Sequence, residues 1–171
     1  MKKIAMALAL TVLPIQSVHA DDRQVVNVPS EIKAMFLEEM RGHLDNLNEI
    51  TLALSAGDFE AAAFVAKNKM GFGHSMREIL VNQGMHEAEI DAFMKRMREK
   101  HGPGQGRGMG RFMPEELTMM GQEFHMAAEN FAEVASSVQS PPTPEDYKNV
   151  FTALSETIDV CSACHSTFRV E

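Results

Sequence analysis

Beyond its first twenty residues the chain has no run that approaches the ~18 uninterrupted apolar positions a membrane-spanning helix requires. Basic side chains are in short supply. Sixteen Lys and Arg face 24 Asp and Glu, a formal charge of −8, and a surface of that sign repels nucleic acid. Cysteine occurs only twice, both times near the C-terminus, and in an oxidising compartment such a lone pair would ordinarily close a disulfide. Alternation of apolar and polar residues over a useful length is missing throughout, so strands are not expected to organise the fold.

What is present begins with Lys2 and Lys3, an apolar run from Ile4 to Val12 and a small-residue end at Val18-His19-Ala20. That order of charge, apolar core and small residues is the pattern of a signal peptide, with cleavage expected after Ala20 and export to the periplasm. Residues 21–171 are then expected to form one domain around one core. Losing Lys2 and Lys3 leaves 14 basic against 24 acidic side chains and takes the formal charge from −8 to −10.

Apolar residues at Ile32, Met35, Phe36, Met40, Leu44, Leu47, Ile50 and Leu54 recur at three-and-four spacing. This predicts an amphipathic helix, capped by Ser30 and ended near Gly57. Asp58 is placed to cap a second helix, from Phe59 to about Met70, with a small stripe of Ala62, Ala63 and Ala66. Gly71 and Gly73 interrupt the pattern, which resumes at Met76, Ile79 and Leu80. His86 to Lys100 is dense in charge and reads as a short surface helix with Ile90, Phe93, Met94 and Met97 inward.

His101 to Gly110 then holds five glycines and a proline, too little apolar area to offset backbone ordering, which predicts a loop. Pro114 suits a helix start for the stripe Leu117, Met120, Phe124, Ala127, Phe131, Val134 and Val138, which Pro141 and Pro142 stop. Pro144 opens a last helix expected to bury Tyr147, Val150, Phe151, Leu154, Ile158 and Phe168. The fold expected is all-α: an antiparallel four-helix bundle with a short extra helix and a glycine-rich loop between the second and third main helices.

Chemistry concentrates at Cys161-Ser162-Ala163-Cys164-His165. C-x-x-C-H is the spacing used to attach c-type haem. On a helix, cysteines at i and i+3 share a face and can reach two vinyl groups of one porphyrin edge, while the next histidine can bind iron through one ring nitrogen. A disulfide or a thioredoxin-like pair would use the same C-x-x-C, but the redox pair belongs to a βαβ pattern that is missing here. A zinc site would need a second cysteine pair, and there is none. No methionine follows His165, so any second axial ligand must come from an earlier helix.

A C-terminal C-x-x-C-H followed by Phe168-Arg169, closing four amphipathic helices, resembles the class II cytochromes c, the cytochrome c prime superfamily. Met40-Arg41-Gly42-His43-Leu44-Asp45-Asn46-Leu47, leading to Gly57-Asp58-Phe59, is similar to the first helix and turn of its low-spin members. The resemblance implies one haem c held by Cys161 and Cys164, His165 as proximal ligand, Met40 as sixth ligand, Arg169 near a haem propionate, and often a homodimer. It implies electron transfer with redox partners rather than enzymatic turnover. The segment from about Gly71 to Met113 is longer and richer in Met and Gly than the family pattern.

Several alternatives stay open on the residues alone. Met40 on an apolar stripe can be plain core, leaving an open iron face that binds nitric oxide or carbon monoxide. Met35 is the next methionine considered as ligand, more than a turn earlier. His43, at i+3 from Met40, can contact a propionate, replace the methionine, or be a polar residue at a bundle edge, and His125 is read as structural or surface. Met85, Met94, Met97, Met109, Met113, Met119, Met120 and Met126, with His86 and His101, offer copper(I) donors without a compact repeated spacing, and methionine also fills irregular cores. The acidic surface suits a basic redox partner and suits ordinary solubility equally well. A haem-free exported redox or metal-binding protein is the remaining reading.

Overall fold

A computed structural model of the chain describes residues 21–101 and 112–171. The expected leader and the glycine-rich loop lie outside the described residues. Within them run β1 (Gln24–Val26), α1 (Ser30–Ser55), α2 (Phe59–Lys69), α3 (His74–Asn82), α4 (Glu87–His101), α5 (Glu115–Ser136), α6 (Pro144–Thr167) and β2 (Phe168–Val170). The all-α expectation holds, and no helix among the described residues is long and apolar enough to cross a membrane.

Helix boundaries follow local chemistry. Pro29, not Ser30, occupies the N-cap of α1, and no side chain caps it; Ser30 instead lies inside the first turn. At the other end Gly57 takes φ +74°, a conformation that costs glycine little, and Asp58 N–H donates to the Ala53 carbonyl at 2.9 Å. Asp58 then caps α2, its Oδ1 accepting from the Ala61 amide at 2.9 Å, an arrangement worth roughly 1 kcal/mol. Thr143 and Asp146 form a reciprocal capping box at the start of α6, with Pro144 in the first turn.

Helix α2 packs on α1 and on α5, and α5 packs on α6, whereas α1 and α6 do not pack along each other to a comparable extent. All four nevertheless contribute to one core: Ile50 and Leu54 from α1, Phe59 and the alanines of α2, Phe124 and Phe131 from α5, and Val150, Ala153 and Leu154 from α6. Ala62 and Ala66 are fully enclosed; their small side chains let α2 approach α5 closely. The buried face of α6 differs from expectation. Val150, Ala153, Leu154 and Thr157 point inward, while Phe151, Ile158 and Tyr147 are 49%, 43% and 36% exposed. On α5 the enclosed residue is Ala128 rather than Ala127.

Two short strands add what the sequence pattern did not announce. Gln24, Val25 and Val26 pair in parallel with Phe168, Arg169 and Val170. Val26, Phe168 and Leu117 form a second small core against which Cys164, Met113 and Met120 pack. The Arg23 guanidinium also donates to the His165 carbonyl at 3.3 Å, placing a cation at the negative end of α6. The beginning of the described chain is thus tied to the end of the helix that carries the cysteines.

Helices α3 and α4 attach to α2 through ions. Arg77, 7% exposed, pairs with Asp91, which also accepts from Lys67 Nζ at 2.9 Å. Burial would raise the Asp91 carboxyl, but the hydrogen bonds from Lys67 and Arg77 prevail and hold it below its usual value. A depressed carboxyl contributes stability above the unfolded value of about 3.9 and loses it as pH falls through the lower folded value. Acid titration should therefore loosen α4 below pH ~4, and Asp91→Asn should show the loosened state already at neutral pH with a flatter acid limb. Amide exchange in α4 at pH 3 to 7 reads this directly; identical profiles for both proteins would contradict it.

Candidate functional site

Residues Phe36 to Leu47 of α1 and the C-terminal half of α6 line a cavity of about 910 Å³, walled further by α5 and by residues 72–75. That volume lies in the ~300–1,000 Å³ range of small-molecule and cofactor sites. Its apolar wall includes Phe36, Met40, Leu44 and Leu47 of α1, Leu117, Met120 and Phe124 of α5, and Val160 of α6. Leu44, 68% exposed, stands at the rim.

Four of the residues expected from sequence line this one cavity: Cys161, Cys164 and His165 from α6 and Met40 from α1. The cysteines are half-buried unpaired thiols, and Cys161 Sγ donates to the Thr157 carbonyl at 3.5 Å. Burial pushes both thiols up, and the neighbouring Cys164 pushes Cys161 further. Neutral thiols are the opposite of the depressed thiolate that a thiol–disulfide exchange site uses. A large apolar slot with two such thiols on one edge fits the donor set that a covalently held haem requires. Arg169 does not line the cavity; it lies in β2 with its guanidinium toward Asp21 and Glu171, at 3.7 and 3.0 Å. Met35 is 57% exposed and outside the cavity wall.

His43 is not at a bundle edge. It is 9% exposed and packs on Phe124 with ring centroids 4.6 Å apart. Burial, with the nearby His74 second, pushes its imidazole down to about 4, so it is neutral at physiological pH. His125 is also turned inward, its ring 5.3 Å from that of His74 and its Nδ1 2.7 Å from the Met70 carbonyl; burial lowers it too.

Two residues of the cavity wall escaped sequence reasoning, Glu39 and His74. His74 Nε2 lies 3.1 Å from Glu39 Oε1, and this hydrogen bond holds the Glu39 carboxyl below its usual value. Gly73, at φ +69°, makes the turn that delivers His74, and a Cβ there would run into Met94 Cε. The Glu39/His43 spacing of four residues on a helix was a readable signal; the arrival of His74 from α3 was not. Of the methionines considered as copper donors, Met113 and Met120 line the cavity, Met97, Met119 and Met126 are exposed, and Met109 lies outside the described residues.

No protein-family model, curated protein or solved structure matches this chain.

Proposed function

We propose that the chain is an exported, periplasmic monohaem c-type cytochrome that carries single electrons between redox partners, built on an antiparallel four-helix bundle of α1, α2, α5 and α6. The observation that carries this reading is the shared cavity: Cys161, Cys164 and His165 on α6 and Met40 on α1 line one apolar slot of about 910 Å³. Bound haem would supply an iron that takes up and releases one electron. The thiols of Cys161 and Cys164 would carry its covalent links. The imidazole of His165 and the thioether of Met40 would hold the iron, a donor pair that raises its reduction potential. The apolar wall would keep water from the centre, and the acidic surface would suit a basic partner.

The test is an optical spectrum of ferric and reduced protein, made in a periplasm with haem-maturation machinery, for the wild type and for Met40→Ala. A far-red ferric band of methionine–iron ligation, lost in the variant, with little response to carbon monoxide in the wild type, is the expected result. A high-spin wild type that shifts with carbon monoxide would replace electron transfer by gas binding. Absence of any Soret band would leave a haem-free exported protein.

A further inference from the structure

The polar corner of the cavity asks for an occupant of its own. Glu39 and His43 are one turn apart on α1, and His74 enters from the start of α3. One donor atom from each lies within 4.8 Å of the other two. Three such atoms belong either to a hydrogen-bonded cluster or to one small cation, and the hydrogen-bond census favours the cation. Glu39 and His74 satisfy each other at 3.1 Å, but His43 Nε2 is buried without a hydrogen-bond partner among the described residues. A buried, unpaired ring nitrogen has given up its water without a replacement, and a metal ion would supply one.

Behind the cluster, His125 Nδ1 faces the Met70 carbonyl at 2.7 Å. A carbonyl only accepts, so Nδ1 carries the proton and the lone pair is on Nε2. His125 lies beside the three donors rather than among them. Its ring stands 5.3 Å from that of His74.

We propose that Glu39, His43 and His74 form a binding site for a divalent first-row transition ion, separate from the Cys161, Cys164 and His165 group on α6. Two imidazoles and one carboxylate are borderline donors of the kind that hold zinc or ferrous iron, and they leave coordination positions free toward the cavity. Calcium and magnesium, which take oxygen ligands, do not suit two imidazole donors. The site does not depend on the haem reading.

The experiment is equilibrium dialysis of the purified, chelator-stripped full chain against zinc, with zinc and iron per chain measured by elemental analysis. One zinc per chain is expected, with affinity weakened roughly tenfold or more in Glu39→Gln and in His74→Ala, and unchanged in the Cys161→Ala, Cys164→Ala double variant. The double variant removes thiolate binding, so the result reads the same with or without attached haem. Should a variant fail to fold by circular dichroism, zinc-induced shifts of the His43 and His74 ring resonances in the unsubstituted chain decide the matter. No zinc retained, zinc lost with the cysteines but indifferent to Glu39 and His74, or unshifted ring resonances would overturn the proposal. In protein made with haem-maturation machinery, zinc bound through Glu39 and His74 without a haem spectrum would leave the metal site standing and end the cytochrome reading; a haem spectrum with no zinc retained would do the reverse.

Discussion

Replacing both Cys161 and Cys164 by alanine should abolish haem that survives denaturation, leaving no haem-stained band on a denaturing gel. Each single variant should weaken attachment, because one thiol of the pair remains. His165→Ala should behave differently, keeping the stained band while its spectrum changes. The distinction is one of bond type: a thioether link persists when the chain unfolds, whereas a nitrogen–iron bond depends on the folded geometry of α6. The substitutions trim only the edge of the core, since Cys161 is half-buried against the main cluster and Cys164 against the small cluster of Val26, Leu117 and Phe168. Circular dichroism of the double variant should therefore match the haem-free wild type. Unchanged staining and spectra in all three variants would end the haem reading.

Phe131→Ala should destabilise the protein by about 3–5 kcal/mol, the range for removing an enclosed aromatic ring. Phe131 is 1% exposed and sits in the core to which α1, α2, α5 and α6 all contribute. Its surroundings explain why the upper part of that range is expected. The α2 face in this core includes Ala62, Ala63 and Ala66, side chains with no reach to refill the space. For a chain of this size each kcal/mol lowers Tm by roughly 2–4 °C, so the shift should exceed about 6 °C. Urea unfolding should show a lower midpoint at an unchanged slope. A loss below about 1 kcal/mol would mean that the helices close over the gap left by the ring.

Local chemistry was legible in the residues wherever one segment decided its own structure. Gly57 and Asp58 mark the α1–α2 turn because the left-handed residue and the capping carboxylate act within a few positions of each other. Pro144 marks the start of α6 for the same reason, although Thr143 and Asp146 complete the cap. Ser30 misled because Pro29 beside it took the cap position. The apolar stripes located the helices but overstated their buried faces: Phe151 and Ile158 are as apolar as Val150 and Leu154, and only the placement of α5 decides which pair is covered.

The site divides in the same way. Cys161, Cys164 and His165 are a local motif, and their sharing of one helix face follows from helical spacing alone. That Met40 joins them in one cavity depends on how α1 and α6 are placed relative to each other while both contribute to one core. His43 was visible as a histidine near Met40, yet its burial under Phe124 comes from a helix some eighty residues away in the chain.

By itself, the sequence determined the helical class, the position of most helix ends, the thiol–histidine motif on the last helix and the sign of the surface charge. These properties arise from residues within a turn or two of one another, or from composition. Only the tertiary structure decided the parallel pairing of residues 24–26 with 168–170, the cavity between α1 and α6, and the meeting of Glu39, His43 and His74. Each of these joins residues 31 to 144 positions apart along the chain, and their proximity is set by which helix faces pack, a choice that no local periodicity encodes.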